Sequence, residues 1–402
     1  MEIGKRTLLL LLAFCLLCTA AVQAREVVWE EQEEEEEQED TGWWQIVSMP
    51  PRDTDGHWSE TLFSWARRML IIDGYREDGT YRPDRLVTEA EFLKMLYRSM
   101  GLPAGAASYN DYRDWTDSLY SMALTYNYPV KGAKEKQLRS QPLTRQTAAE
   151  LLIGVQGLHY TGEAAQIYLI TKGLANREIA DPSEFGGEEY FSRAEALSWI
   201  RQHLLRGAWK LHVRPTEPSD PVTLPVLSKT PVPVLPDFSL RSASAEDFDL
   251  WSGDTSVASI GAAKASLDAV LGAEPDFMLD WFDYLSFDAK LDSKGHLQFW
   301  LANEYNSANS EQRVHTYKGI AVGVSTLSDV IEAYGTAGII KDHQALYYYL
   351  KNNDGSYTPF VPDFRVMNLE KIYTIAFGFD PETQLVTIAM AGWLPYLNGR
   401  PE

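Results

Sequence analysis

Cysteine is almost missing: in 402 residues only Cys15 and Cys18 carry thiols, and both lie in the apolar N-terminal segment. If that segment is removed, no disulfide, thiolate metal site or cysteine nucleophile remains. Histidine is scarce too, and the seven present show no His-Glu-x-x-His or other ligand spacing, so a histidine-built metal centre is not expected. A phosphate-binding glycine loop is also lacking. Gly323-Val324-Ser325-Thr326-Leu327 opens like a nucleophile elbow without its closing glycine, and Asp53-Thr54-Asp55-Gly56 has a calcium-loop opening without the spacing or final glutamate. Positive charge is outnumbered, with 36 Lys and Arg against 57 Asp and Glu and a net charge of −21. Long-range electrostatics therefore exclude nucleic acid as a partner. No cofactor and no catalytic residue are assigned. Carboxylates are plentiful, however, and a glycosidase pair is recognised by separation in space rather than by motif.

What is present begins at the N-terminus. Lys5 and Arg6 precede an apolar run from Leu8 to Leu17, and Val22-Gln23-Ala24 follows as a small-residue exit. This is the layout of a secretory signal peptide, with cleavage expected after Ala24. Ten apolar residues at about 1.5 Å each span roughly half of a ~30 Å hydrocarbon layer, which argues against a transmembrane anchor. Leu17 before Cys18 and Phe14 before Cys15 argue against a lipoprotein. Glu30 to Asp40 then carries nine acidic side chains and nothing apolar, a solvated spacer placed at 25–49.

A helical region follows, and it has an internal period. Thr88-Glu89-Ala90-Glu91, Thr144-Arg145-Gln146-Thr147 and Ser192-Arg193-Ala194-Glu195 each open an amphipathic stretch, at intervals of 56 and 48 positions. Trp58 and Trp115 stand 30 and 29 positions before the first two. Trp58, Leu62, Trp65, Ala66 and Met69 recur at helical steps, so Trp58 is expected on the buried face, and Asp73-Gly74 is expected to stop that helix in a left-handed C-cap. Thr88 with Glu91, and Ser192 with Glu195, form capping boxes; the second repeat has Thr147 where the box wants a carboxylate. Three helix–loop–helix units at 50–102, 103–160 and 161–211 are expected.

These residues resemble the S-layer-homology repeat. Repeat one carries Asp53, His57-Trp58, Gly74-Tyr75, Asp78-Gly79, Tyr81, Pro83 and Thr88-x-Ala90-Glu91; repeat two keeps Asp114-Trp115 and Leu143-Thr144-Arg145; repeat three keeps Phe191 to Glu195. The resemblance implies a three-repeat helical bundle with pseudo-threefold symmetry, whose inter-repeat grooves bind pyruvylated secondary cell-wall polysaccharide. It also implies localisation at the wall or surface of a bacterium with a Gram-positive type envelope. Arg145 and Arg193 fall on the first turns of their helices, where a guanidinium suits a ketal carboxylate. Glu89 replaces that arginine in repeat one and would repel an acidic sugar. Trp58, Tyr75 and Trp115 complete the candidate glycan contacts, although tryptophans so placed more often serve in the core and a turn role suffices for Tyr75.

Residues 212–240 read as a linker, because seven prolines within 22 residues favour an extended, semi-rigid spacer between independently moving parts. From 241 to 402 an α+β domain of two helix-plus-hairpin units is expected. Ile260-Gly261 leads to Leu267, Val270 and Gly272, and Val322-Gly323 leads to Leu327, Val330 and Gly335. Strands are expected at Tyr284 to Ala289, His296 to Leu301, Ile372 to Phe379 and Leu385 to Met390. The aromatic clusters, such as Tyr347-Tyr348-Tyr349, fit a sheet face. The leading expectation is a non-catalytic surface protein held to wall polysaccharide; the alternatives are an envelope protein–protein scaffold and a wall-active hydrolase.

Overall fold

The computed structural model describes residues 52–75, 77–102, 114–175, 179–271, 276–278, 281–284, 286–309, 313–361 and 369–397. The expected signal peptide, both cysteines, the acidic spacer and Gly272 lie outside them. The chain is a mixed α/β protein of two compact units, one helical and made of the described residues up to Ser239 together with Ile340–Asp342, the other made of the remaining residues from Leu240 onward and built on a sheet. Among the described residues no helix is long and apolar enough to cross a membrane.

Among the described residues six α-helices of the helical unit fall in consecutive pairs: α1 (Glu60–Arg68) and α2 (Glu89–Ser99), α3 (Asp117–Thr125) and α4 (Arg145–Gly154), α5 (Gly162–Thr171) and α6 (Arg193–Leu205). Each ends the same way, with one residue in the left-handed region: Leu70, Gly101, Asn127, Gly157, Gly173 and Gly207. The residue after the reversal donates back to the last helical turn, as in Ile71 N to Ala66 O at 2.8 Å and Tyr128 N to Ala123 O at 2.8 Å. Helix α1 therefore stops four residues before the expected Gly74. Leu70 makes the reversal in spite of its side chain, which is left exposed, while Ile71 and Ile72 turn into the core.

The three second helices are capped as their sequences dictate. Thr88, Thr144 and Ser192 accept the backbone N–H of Glu91, Thr147 and Glu195, and the first and third complete reciprocal capping boxes. The segments just before these caps bridge each other in a closed triangle: Leu86 with Ser192, Thr88 with Pro142, and Thr144 with Tyr190. Val87, Leu143 and Phe191, one residue before each cap, are buried at its centre.

The proline-rich segment is not a free spacer. Residues 208–239 are laid along the helical unit: His212 N donates to Val155 O at 2.9 Å, Arg214 N to Tyr126 O at 2.9 Å, and Ser219 N to His159 O at 3.0 Å. Further on, Gln202 donates to Leu235 O at 2.8 Å, and the Arg201 guanidinium lies between the rings of Trp65 and Phe238. An extended proline-rich backbone has no internal hydrogen bonds, so its carbonyls are open to such side-chain donors.

In the sheet unit eight strands run antiparallel in the order Tyr357–Phe360, Gln344–Lys351, Ile372–Phe379, Val386–Trp393, Leu297–Asn303, Phe287–Leu291, Trp281–Tyr284, Asp276–Met278. The expected hairpins share this one sheet, because Val386–Trp393 pairs with Leu297–Asn303. The duplication extends to backbone bonds: Gly261 N donates to Leu297 O and Gly323 N to Val386 O; Lys264 N donates to Gly295 O and Leu327 N to Gln384 O. Two expectations are corrected. Tyr284 to Ala289 is not one strand, since Tyr284 and Phe287 face each other in neighbouring strands. Val270 on the helix Lys264–Leu271 is exposed, whereas Leu267 is buried. The helix Leu327–Tyr334 stops at Gly335 and packs Tyr334 against Tyr347 and Phe377, ring centroids 5.4 and 5.3 Å away.

Candidate functional site

The first-turn residue of each capped helix reaches into the next repeat. Arg145 on α4 pairs with Glu195, the capping-box carboxylate of α6, and with Glu189. Arg193 on α6 pairs with Glu91, the capping-box carboxylate of α2, at 3.1 Å, and its Nε donates to Tyr81 O at 3.0 Å. Glu89 on α2 accepts from Tyr120 Oη at 2.9 Å, Lys131 N at 2.9 Å and Gly132 N at 2.7 Å. All three side chains are buried, at 5%, 5% and 3% exposure. The two arginines are thus joints between repeats. The first turn does favour a carboxylate partner, as the sequence suggested, but the protein supplies that carboxylate itself.

This ring explains two departures in the sequence at once. An arginine joint needs a carboxylate at the third position of the next capped helix, and Arg145 and Arg193 both find one. For Glu89 the equivalent third position, on α4, is Thr147, which carries no charge. Lys131 and Gly132 offer backbone N–H groups instead. Arg139, whose guanidinium lies 4.3 Å from the Tyr120 ring centroid and whose Nε donates to Gly132 O, closes the cluster.

An open pocket of about 150 Å³ lies beside the Arg193 joint, lined by Gly74, Tyr75, Glu91, Lys94, Trp115 and Arg193 among others. Three of the five expected contacts, Tyr75, Trp115 and Arg193, are brought together here, and Arg145 is not part of the lining. Trp115 is 40% exposed and carries the Lys94 ammonium 5.2 Å from its ring centroid. The Tyr75 ring has the guanidinium carbons of Arg82, Arg193 and Arg85 at 3.8, 5.1 and 5.2 Å, and its hydroxyl donates to Glu91 at 2.9 Å. Burial pushes the Tyr75 phenol above its ordinary pKa, against the pull of Arg193, so it remains a neutral donor at pH 7. Burial works against ionisation of Asp73, yet Lys94 and Arg98, at 2.9 and 2.8 Å, hold its carboxyl below the usual range.

Trp58 lies apart from this pocket and is 59% exposed, packed beside His57. The core alternative is overturned for both tryptophans: each precedes its helix and stands outside the apolar stripe, which α1 builds from Leu62, Phe63, Trp65 and Ala66. Asp53 clamps the Tyr81 and Arg82 amides, at 3.0 and 2.6 Å, a turn role with no need of calcium. Lys94 was missed by the sequence reading. Its signal was a pair of cations four residues apart, Lys94 and Arg98, on one side of a helix whose other side is apolar.

In the sheet unit Asp283 and Asp288 face each other across neighbouring strands. Burial, with Asp283 adding to it, pushes the Asp288 carboxyl up to about 7. The folded state thus binds this proton more tightly than the unfolded chain, whose carboxyl has the ordinary value of 3.8. Its contribution to stability is complete below that value and is lost as pH rises through about 7. Relative to Asp288→Asn, the wild type's urea midpoint should therefore fall between pH 4 and 7.5. A pH-independent difference would contradict this.

Among the described residues no group of three or more His, Cys, Asp or Glu side chains is placed to hold a metal ion. No protein-family model, curated protein or solved structure matches the chain.

Proposed function

We propose that the chain is an exported bacterial surface protein whose helical unit is a divergent S-layer-homology module holding anionic wall polysaccharide in the groove of Tyr75, Lys94 and Trp115. The observation that carries this reading is the pocket itself. An exposed indole and a lysine stand side by side there, with buried Arg193 behind them, in a chain of net charge −21. Trp115 offers a stacking face to a sugar ring, and Lys94, one of whose protons goes to the exposed Asp73, has its other ammonium protons for a ketal carboxylate. Arg145 has no part in it, so the module has one working groove rather than two. The sheet unit is the part displayed.

Cosedimentation of the full chain with purified pyruvylated wall polysaccharide tests the proposal. Retention is expected with the intact polymer and should fall at least about tenfold when the ketal is hydrolysed, a hydrogen bond to a charged group being worth about 1.5–3 kcal/mol. Equal retention of both polymers, or of neither, rejects it. The burial of Arg145 and Arg193 in ion pairs favours a second reading, an envelope scaffold that docks a protein on the same helical unit; it predicts no polymer retention at all.

A further inference from the structure

The sheet unit has a pocket of its own, about 370 Å³, where four strands end together. Trp393 closes one side. It pairs with Tyr373 across the sheet, and its Nε1 donates to Glu370 O at 2.7 Å. That bond satisfies the indole's only polar group and fixes the ring, so what Trp393 has left to offer is its π-face. Lys351 stands opposite, its ammonium 5.2 Å from the Tyr373 ring centroid and 5.8 Å from that of Tyr357. Partial burial works against its charge, but the two tyrosines hold its pKa above the ordinary value, so it stays cationic. Lys371 reaches Asn353 Oδ1 at 3.3 Å. Asn352 is oriented by donating to Ser356 Oγ at 2.8 Å and Thr358 Oγ1 at 2.9 Å. Gln298 adds a third carboxamide.

This lining selects a class of ligand. Among the described lining residues none is aliphatic, which disfavours a lipid chain or an apolar peptide anchor. Among the described lining residues two ammonium groups stand against one carboxylate, that of Glu370, which favours a ligand with one negative charge, and the chain's overall charge of −21 disfavours a ligand as densely charged as nucleic acid. Aromatic faces, carboxamides and a surplus cation together suit a sugar ring bearing a carboxylate. We propose that this pocket binds one carboxylated sugar residue, with Trp393 as the stacking platform, Lys351 and Lys371 receiving the carboxylate, and Asn352, Asn353 and Gln298 pairing with ring hydroxyls. The site is separate from the helical groove and stands whether or not that groove binds glycan.

The test is titration of galacturonate, glucuronate and galactose into the full chain, followed by saturation-transfer NMR and calorimetry. Saturable binding of at least one uronate is expected, about tenfold or more tighter than galactose, since the carboxylate contacts are charge-assisted. Trp393→Ala should abolish it. Lys371→Gln, at an exposed position that leaves the sheet intact, should remove the preference for uronate over galactose. Trp115→Ala should change nothing here, which separates this site from the helical groove. Absence of uronate binding, galactose binding as well as the uronates, or full binding in both Trp393→Ala and Lys371→Gln would overturn the proposal. So would displacement of the uronate by an oligothymidylate at equal concentration.

Discussion

Glu89→Arg should destabilise the helical unit by about 4 kcal/mol, the scale of an uncompensated buried charge, and Thr147→Glu added to it should restore about 1–3 kcal/mol. Glu89 is 3% exposed and accepts three hydrogen bonds, two of them from backbone amides of Lys131 and Gly132. An arginine there would face those same N–H groups with no acceptor and with Arg139 close by. The side chain introduced by Thr147→Glu would supply the carboxylate that Arg145 and Arg193 already find at the equivalent positions of the other two joints. Urea unfolding of the four proteins of the cycle measures this, with hydrogen exchange in α2 and α4 locating the loss. Additive effects of the two substitutions would show that Glu89 and Thr147 are unrelated departures.

Arg145→Ala should cost about 3 kcal/mol at pH 7, again because it leaves a carboxylate stranded. Most of that belongs to Glu195, whose side chain is 19% exposed; Glu189 is 63% exposed, and its arm contributes little. Burial alone would raise the Glu195 pKa, but the Ser192 amide and Arg145 hold it below 4.5. A depressed carboxyl contributes stability that is present above the unfolded value and lost as pH falls through the folded one. The difference between wild type and Arg145→Ala should therefore be full at pH 7 and shrink once pH falls below 4.5, the ordinary carboxyl value. A difference that persists undiminished into acid would mean the arginine acts through packing rather than charge.

The helix starts were legible because their information is local. Thr88, Thr144 and Ser192 announce themselves within three residues, and the structure places a cap at each. The joints were not legible in this way. Arg145 and Glu195 are fifty positions apart and Glu89 and Gly132 forty-three, so a first-turn arginine looks equally open to a ligand or to its neighbour until the repeats are closed into a ring. Trp58 shows the opposite failing: the helical period continues through it, but α1 begins at Glu60, and a residue outside the helix need not obey the period. The proline-rich stretch was read as extended and free, but Pro221–Thr223 coils into a 3-10 turn and the stretch is docked, because composition does not fix docking. What holds it down is Arg201, Gln202 and Arg206 on and just beyond α6, reaching its bare carbonyls. In the sheet unit the glycine stop at Gly335 and the paired turns were visible. The strand Gln344–Lys351 was seen only as an aromatic run, since Ala345 to Tyr349 is buried on both faces and shows no alternation.

Arg145, on the first turn of α4, is a structural joint, and the proposed wall ligand is held instead by Lys94 and Trp115. Calorimetric titration of pyruvylated wall polysaccharide into the wild type, Arg145→Ala and Lys94→Glu, at a temperature where all three are folded, tests it most directly. Unchanged affinity in Arg145→Ala, with a loss of about tenfold or more in Lys94→Glu, is the predicted result. Affinity lost in Arg145→Ala and kept in Lys94→Glu would contradict it.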